Sequence, residues 1–398
     1  MGTTNATIDS MVTTPEWHTR RRHAAPASAT AQYQRALDAV QRAGIPGLHA
    51  EIRHGDRIWR GAAGFADLDT RQPIQPDMVH RVGSVTKSFT ATAVLQQVEQ
   101  GRIELDEAIG TYLPQLVPGA RGAAITVRML LGHTSGLPDY LGYAFPSVAG
   151  FPSAPADVSP ASLDEHRYTR FDPVALIGSA VEAPPATSAP GSAPGVYSNT
   201  NYLLLAQLLE SVCGTTAERY ITENVIERAG LERTGFPVRP AIDDPHPRMY
   251  EAMYGLLDPP RDYSVYDMSW VRPAAGLVST TTDLNRFYRA LLGGELVRSS
   301  SLDQMQQTGP VIAMDGSRIE YGLGLHRVEI PDHGVFWGHD GTVFGAFTLS
   351  LTSSDGSRQY TVALNAARWN ILGPRGLPQR HPIDDALDAL RRTALCGD

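Results

Sequence analysis

Lysine is almost missing from this chain of 398 residues: of its 34 basic residues, only Lys87 is a lysine. Cysteine is nearly as scarce. Cys213 and Cys396 show neither metal-type spacing nor enough partners for a disulfide framework, and Cys213, set in an apolar helical pattern, reads as a small core residue. No apolar run approaches the roughly 20 residues that cross a bilayer, so no membrane partner is expected. The formal charge is −8, with 19% charged residues and no basic stripe interleaved with aromatics, which argues against nucleic acid. Residues 1–30 carry Arg20-Arg21-Arg22 and then small residues, but lack the apolar stretch of a secretion signal between them. They read as a flexible leader, with a cytoplasmic location favoured over a secreted one.

What is present predicts a mixed α/β (α+β) architecture. The chain exceeds the usual capacity of one core. Residues 31–43 place Tyr33, Leu37 and Val40 on one helical face, and Gly44 and Pro46 stop it. Two short runs joined by His54-Gly55-Asp56 read as a hairpin. Helices are expected at 84–100, 173–180, 201–212, 284–292 and 383–395, and strands at 335–337, 344–351 and 359–365. Strands at both ends with helices between them imply one antiparallel sheet flanked by terminal helices, plus an all-helical lobe. The expected division is a catalytic unit at 31–398, with a sheet lobe at about 31–80 and 270–398 and a helical lobe at about 81–269. Within the latter, residues 139–194 are rich in Pro, Ala, Ser and Gly and read as an insertion forming a flap or wall rather than core.

The lone lysine lies three residues after a serine in Gly83-Ser84-Val85-Thr86-Lys87. On a helix that spacing puts both side chains on one face, and an amine, unlike a guanidinium, can be pushed towards neutrality and act as a base for a hydroxyl nucleophile. The free N–H of a serine at a helix start can also stabilise an oxyanion; the plainer alternative is that Ser84 is a cap. In Tyr197-Ser198-Asn199, a phenol becomes a usable base only beside a cation; Lys87 is the candidate, and Asn199 would hold the lysine or a substrate amide. In His339-Asp340-Gly341-Thr342 the glycine permits close backbone approach to substrate and Thr342 offers a second oxyanion donor. As a metal site, His339 and Asp340 lack the further ligands zinc requires, so no metal is expected. His133 and His326 look isolated and structural.

The order Ser-x-x-Lys, Tyr-x-Asn, His-x-Gly resembles the serine DD-peptidase and class C β-lactamase superfamily, and is similar above all to actinomycete D-alanyl-D-alanine carboxypeptidases. Arg81 to Phe89, His133-Thr134-Ser135-Gly136-Leu137, Tyr197 to Asn201, Tyr321-Gly322-Leu323-Gly324-Leu325 and Gly338 to Thr342 all carry the likeness. It implies the β-lactamase/transpeptidase-like fold, an acyl-enzyme on Ser84, proton transfer shared by Lys87 and Tyr197, substrate orientation by Asn199, a catalytic-site place for His339, an oxyanion hole from the N–H groups of Ser84 and Thr342, and no cofactor. Small peptide-like substrates are implied, with β-lactams as covalent inhibitors.

Two positions depart from the carboxypeptidases. They carry arginine where His326 stands and threonine where Asp340 stands, and both hold the substrate's terminal carboxylate. Like charges about 4 Å apart repel by roughly 1 kcal/mol in water and several times that in a screened cleft, so a free carboxylate is unwelcome beside Asp340, Gly341 and His326. The expectation is a hydrolase of D-amino-acid peptides, amides or esters that is not a strict carboxypeptidase. The alternative is a penicillin-binding-protein-type thioesterase, a peptide cyclase or transacylase fed by a peptide-carrier protein. A non-catalytic receptor for β-lactam or muropeptide is the reading from another class; intact Ser84, Lys87 and Tyr197 stand against it.

Overall fold

The computed structural model describes residues 23–24, 27–149, 158–373 and 378–397. Helix α1 (Ala27–Arg42) buries Tyr33, Leu37 and Val40 as the periodicity predicts. The hairpin follows, as β1 (Gly47–His54) and β2 (Arg57–Asp67), paired from His54 opposite Arg57 to Gly47 opposite Gly64. The central helices are α2 (Thr86–Glu99), α3 (Asn199–Cys213) and α4 (Thr281–Leu292). Six strands come next: β3 (Gly309–Ile312), β4 (Arg318–Tyr321), β5 (His326–Ile330), β6 (Gly334–Val343), β7 (Ala346–Ser353) and β8 (Arg358–Leu364). Helix α5 (Pro382–Cys396) closes the described chain.

The principal sheet runs β2-β1-β8-β7-β6-β5-β4-β3, with Gly195–Val196 added parallel to β3 at one edge and His23–Ala24 parallel to β2 at the other. The N- and C-terminal parts thus build one sheet, as expected, although the helical region also supplies an edge strand. The leader expected at 1–30 lies largely outside the described residues; its last part is already strand and helix.

Both faces of the sheet are covered, and the alternation along β1 shows how. Leu48, Ala50 and Ile52 join a core with Leu37 and Val40 of α1 and Leu390 and Leu395 of α5. His49 and Glu51 point the other way and are equally buried. There Glu51 accepts from Asn285 of α4 (3.1 Å), Thr282 (2.6 Å) and Arg60 (2.7 Å), so its buried charge is paired and hydrogen-bonded. Helix α2 is buried from Thr86 to Gln97, and its polar side chains are hydrogen-bonded inside the core, Ser88 to Gly324 O and Gln96 to Leu296 O among them. Phe89 on it stacks on Phe287 of α4, 3.7 Å between centroids. The helical lobe's core is built around this helix.

Two expectations are corrected. Residues 139–149 and 158–194 are not a flap apart from the core: Tyr140, Phe145, Leu163, Leu176, Ile177 and Ala180 are buried in the main core, while 150–157 lie outside the described residues. Phe145 meets Trp270 and Phe344 edge-on at 5.1 and 5.4 Å. The few apolar residues among the Pro and Ala are spaced so that most of them face inward, which composition averages away. The second correction concerns the strand at 335–337. It is longer than expected and continues through His339 to Val343, so the whole His-x-Gly motif lies on the sheet.

Candidate active site

Ser84 sits in a tight turn, Gly83–Val85, leading into α2. No side-chain cap bond forms there, so Ser84 is not serving as a helix cap. Gly83 takes φ +54°, where a side chain is strained, and a Cβ on it would lie 2.7 Å from the Thr342 nitrogen. Reciprocally, a Cβ on Gly341 would lie 2.0 Å from Val82 O and 2.7 Å from the Ser84 nitrogen. The glycine expected to admit substrate therefore first admits the nucleophile turn. The two N–H groups expected to form an oxyanion hole lie on segments in backbone contact. The turn is braced from behind: Thr86 Oγ1 donates to Gly83 O (2.7 Å) and accepts from Leu277 N (3.2 Å).

Lys87, one helical turn on, is fully buried. Its Nζ lies 3.0 Å from Ser84 Oγ, 2.7 Å from Asn199 Oδ1 and 3.0 Å from Ala274 O. Burial pushes its pKa down to about 7, against the upward pull of Asp139 and Asp340. The two carbonyl oxygens can only accept. A neutral amine satisfies them with its two N–H bonds and turns its lone pair to the Ser84 hydroxyl, the geometry of a general base.

Tyr197 presents its ring to Lys87, 4.9 Å from Nζ to centroid. Its buried hydroxyl faces Ser84 without closing a well-formed hydrogen bond, and burial holds its pKa well above the ordinary value despite that serine. The expectation that Lys87 stabilises a phenolate is thus not met: the amine meets the ring face, and burial favours the protonated phenol. His133, at φ +57°, stacks on Tyr197 at 4.0 Å. Its Nδ1 accepts from Ser198 N (3.2 Å) and Asn201 Nδ2 (3.1 Å), which puts its proton on Nε2, a buried atom with no partner.

The sheet wall holds the remaining candidates. His339 is buried, bonded through Nε2 to the Tyr321 hydroxyl (2.9 Å) and through Nδ1 to the carbonyl of Asp340. It has no hydrogen bond to Ser84, Lys87 or Tyr197, so it supports the wall rather than joining the proton-carrying group. Its pKa is well below the ordinary value, through burial and then the nearby His326 and Lys87. His326 is not isolated: its Nδ1 lies 3.1 Å from Asp340 Oδ1, while Nε2 is buried and unpartnered. Burial lowers its pKa, and Asp340 offsets part of that. The Asp340 side chain is 44% exposed. His326, His339 and Asp340 bring ligand atoms within 4.8 Å of one another, so the structure supplies a third donor the spacing had hidden. Both His339 nitrogens are already engaged, by the Tyr321 hydroxyl and the Asp340 carbonyl, and His326 Nδ1 faces Asp340, so the cluster is spent on its own contacts.

Sequence reasoning missed Asp139 and Ala274. Asp139 Oδ2 accepts from Asn199 N (2.7 Å) and Nδ2 (2.9 Å), and Oδ1 accepts from Leu141 N (2.9 Å). The only signal was its place two residues after the His133 to Leu137 segment. Ala274 acts through a carbonyl, which no residue type announces.

A buried amine joined to a serine on one helix, roofed by a tyrosine and walled by a sheet strand, defines a serine enzyme of the penicillin-recognising kind. The Beta-lactamase family model matches residues 30–369, and the chain belongs to that family. It is similar to a penicillin-binding protein of Bacillus subtilis (strain 168), 26% identical over 368 residues covering 84% of this chain and 74% of the relative. A D-stereospecific amidohydrolase from Streptomyces sp. superposes with a TM-score of 0.77 at 32% identity, over 93% of this chain and 99% of that one. The D-amino acid amidase of Ochrobactrum anthropi SV3 shares the fold, with a TM-score of 0.74 at 21% identity over 92% and 98%. The protein is a serine hydrolase or acyltransferase of this family. No helix among the described residues is long and apolar enough to cross a membrane.

Proposed function

We propose that the protein hydrolyses amides of D-amino acids, with a neutral or amine-bearing leaving group in place of a free carboxylate. The observation carrying this reading is the 3.1 Å pair between His326 and Asp340 where carboxypeptidases hold a carboxylate clamp. An anion spent partly on its own histidine and partly open to the cleft repels a second carboxylate and accepts an amide or ammonium donor. Similarity to a D-stereospecific amidohydrolase supports the same class.

In this reading Lys87 takes the Ser84 proton as Oγ attacks the substrate carbonyl, and the N–H groups of Ser84 and Thr342 receive the oxyanion. Tyr197, protonated and facing Oγ, gives its proton to the departing nitrogen, and the Lys87 ammonium makes good that loss. Water then attacks the ester, with Lys87 again the base, and releases the D-amino acid. The test is kcat/KM for D-phenylalanine amide against L-phenylalanine amide and a D-alanyl-D-alanine peptide. The D-amide should lead both; comparable values for the free-carboxylate peptide would sink the reading.

A further inference from the structure

We infer that Asp139 is a positioning residue: it fixes the Asn199 amide with Oδ1 towards Lys87 and holds a negative charge beside the amine. The inference rests on Lys87 serving as the base for Ser84.

An asparagine amide is nearly symmetric in shape, and only its neighbours decide which end points where. The carboxylate of Asp139 can only accept. It takes both the backbone N–H and the Nδ2–H of Asn199 on one oxygen, at 2.7 and 2.9 Å. A flipped amide would set oxygen against oxygen at Asp139 and an NH2 against the Lys87 amine. Burial raises the Asp139 pKa, and the N–H groups of Asn199 and Leu141 and the charge of Lys87 offset part of that; ionised, the carboxylate selects the orientation in which Asn199 Oδ1 receives Lys87 Nζ at 2.7 Å. The third contact, from Leu141 N at 2.9 Å, pins the carboxylate itself to its loop. Ser84, Lys87, Asn199 and Asp139 form one chain of hydrogen bonds joining the nucleophile, α2, α3 and the segment before Tyr140.

The charge matters separately. Lys87 is buried among Ser84 and the rings of Tyr197 and Tyr202, with Asp340 as the second anion and His133, His326 and His339 as neutral neighbours. Asp139 and Asp340 are the groups that raise its pKa against burial. Removing Asp139's charge leaves the amine neutral over a wider acid range but less well aimed.

The single lysine makes a direct test available, since labelling with [ε-13C]lysine yields one side-chain resonance, that of Lys87. In the wild type its titration should centre near about 7. In Asp139→Asn it should fall by about one pH unit, whereas Asp139→Glu should stay near the wild-type value. A value for Asp139→Asn within about 0.3 unit of wild type overturns the charge role. With D-phenylalanine p-nitroanilide, Asp139→Asn should lower kcat roughly ten- to hundredfold with little change in KM, and the acid limb of kcat/KM should move to lower pH with the lysine. Added to Asn199→Ala, the same change should cost little more; fully additive losses overturn the relay. If Asp139→Asn does not fold, Asp139→Ser carries the same expectations, its hydroxyl still able to accept from the N–H at the start of α3. Absence of D-amide turnover alongside a lowered lysine pKa counts against the proposed substrate and not against Asp139.

Discussion

The two walls of the cleft are built on opposite terms. On the helical wall every polar atom of Lys87 and Asn199 that faces the serine or its base has a partner within 3.0 Å. Across from it, on the roof and the sheet side, Tyr197 Oη, His133 Nε2 and His326 Nε2 are buried and close no well-formed hydrogen bond. Leaving such a group without a partner costs about 1–3 kcal/mol. The wall of Lys87 and Asn199 is satisfied by the protein's own groups; the opposite side is not.

Breaking the satisfied wall should have the largest effect. Ser84→Ala abolishes acylation, and Lys87→Arg leaves less than about a tenth of activity, because a guanidinium keeps its proton and cannot act as the base; intact-protein mass spectrometry with a D-residue ester reads both. Retained activity in Lys87→Arg would show that the amine does not titrate in the reaction. Tyr197→Phe tests the opposite side: turnover should fall about 10²- to 10⁴-fold while the melting temperature holds or rises slightly, since the lost hydroxyl closed no well-formed hydrogen bond. A clear drop in melting temperature would mean it is already satisfied in the free enzyme. Next, Asp340→Thr with His326→Arg should move the preference towards free carboxylates by about 10- to 100-fold, and the two changes should be non-additive because both face the same ligand group.

Unpartnered atoms away from the cleft sharpen the comparison, for they should touch stability and leave kinetics alone. His49 and His80 lie buried behind the sheet with ring centroids 6.0 Å apart, and their nitrogens close no well-formed bond. Burial lowers the pKa of His49 from 6.5 to about 4. Below pH 6.5 the unfolded chain takes up the proton first, so stability is intact above that pH and is lost as pH falls towards 4. Between pH 7 and 5 this group should contribute a loss of about 2 kcal/mol, absent in His49→Asn by urea unfolding. Equal losses in the two proteins would show that His49 is not the titrating group.

How much of this was legible in the sequence follows from where each contact's partners lie along the chain. Ser84 and Lys87 are neighbours on one helix, and the α1 stripe repeats within a turn, so local spacing shows both. His326 and Asp340 are brought together by the β5–β6 ladder, where His326 pairs with Gly338 and Asp340 is its diagonal neighbour. Strands β4 and β5 mix charged and apolar residues, and β3 is four residues long with a proline in it, patterns too weak to announce strands. Tyr197 and Asn199 could be named from the motif, and Asn199 does hold the lysine through its Oδ1; the motif did not show that the lysine would meet the phenol's ring face.

The mutual fit of Gly83 and Gly341 bears on how the molecule can move. Val82 O and the Ser84 nitrogen occupy the space a Gly341 side chain would need, as the Thr342 nitrogen does for Gly83, so helical lobe and sheet are locked main chain to main chain at the floor of the cleft. A hinge there could not open without pulling apart the N–H groups of Ser84 and Thr342, the proposed oxyanion donors. Substrate entry and product escape therefore fall to the rim, where the turn between β3 and β4 sets the half-exposed Met314 beside Asn199. Turnover limited by product release should respond to changes in that turn, and the floor should behave as a rigid anvil throughout the cycle.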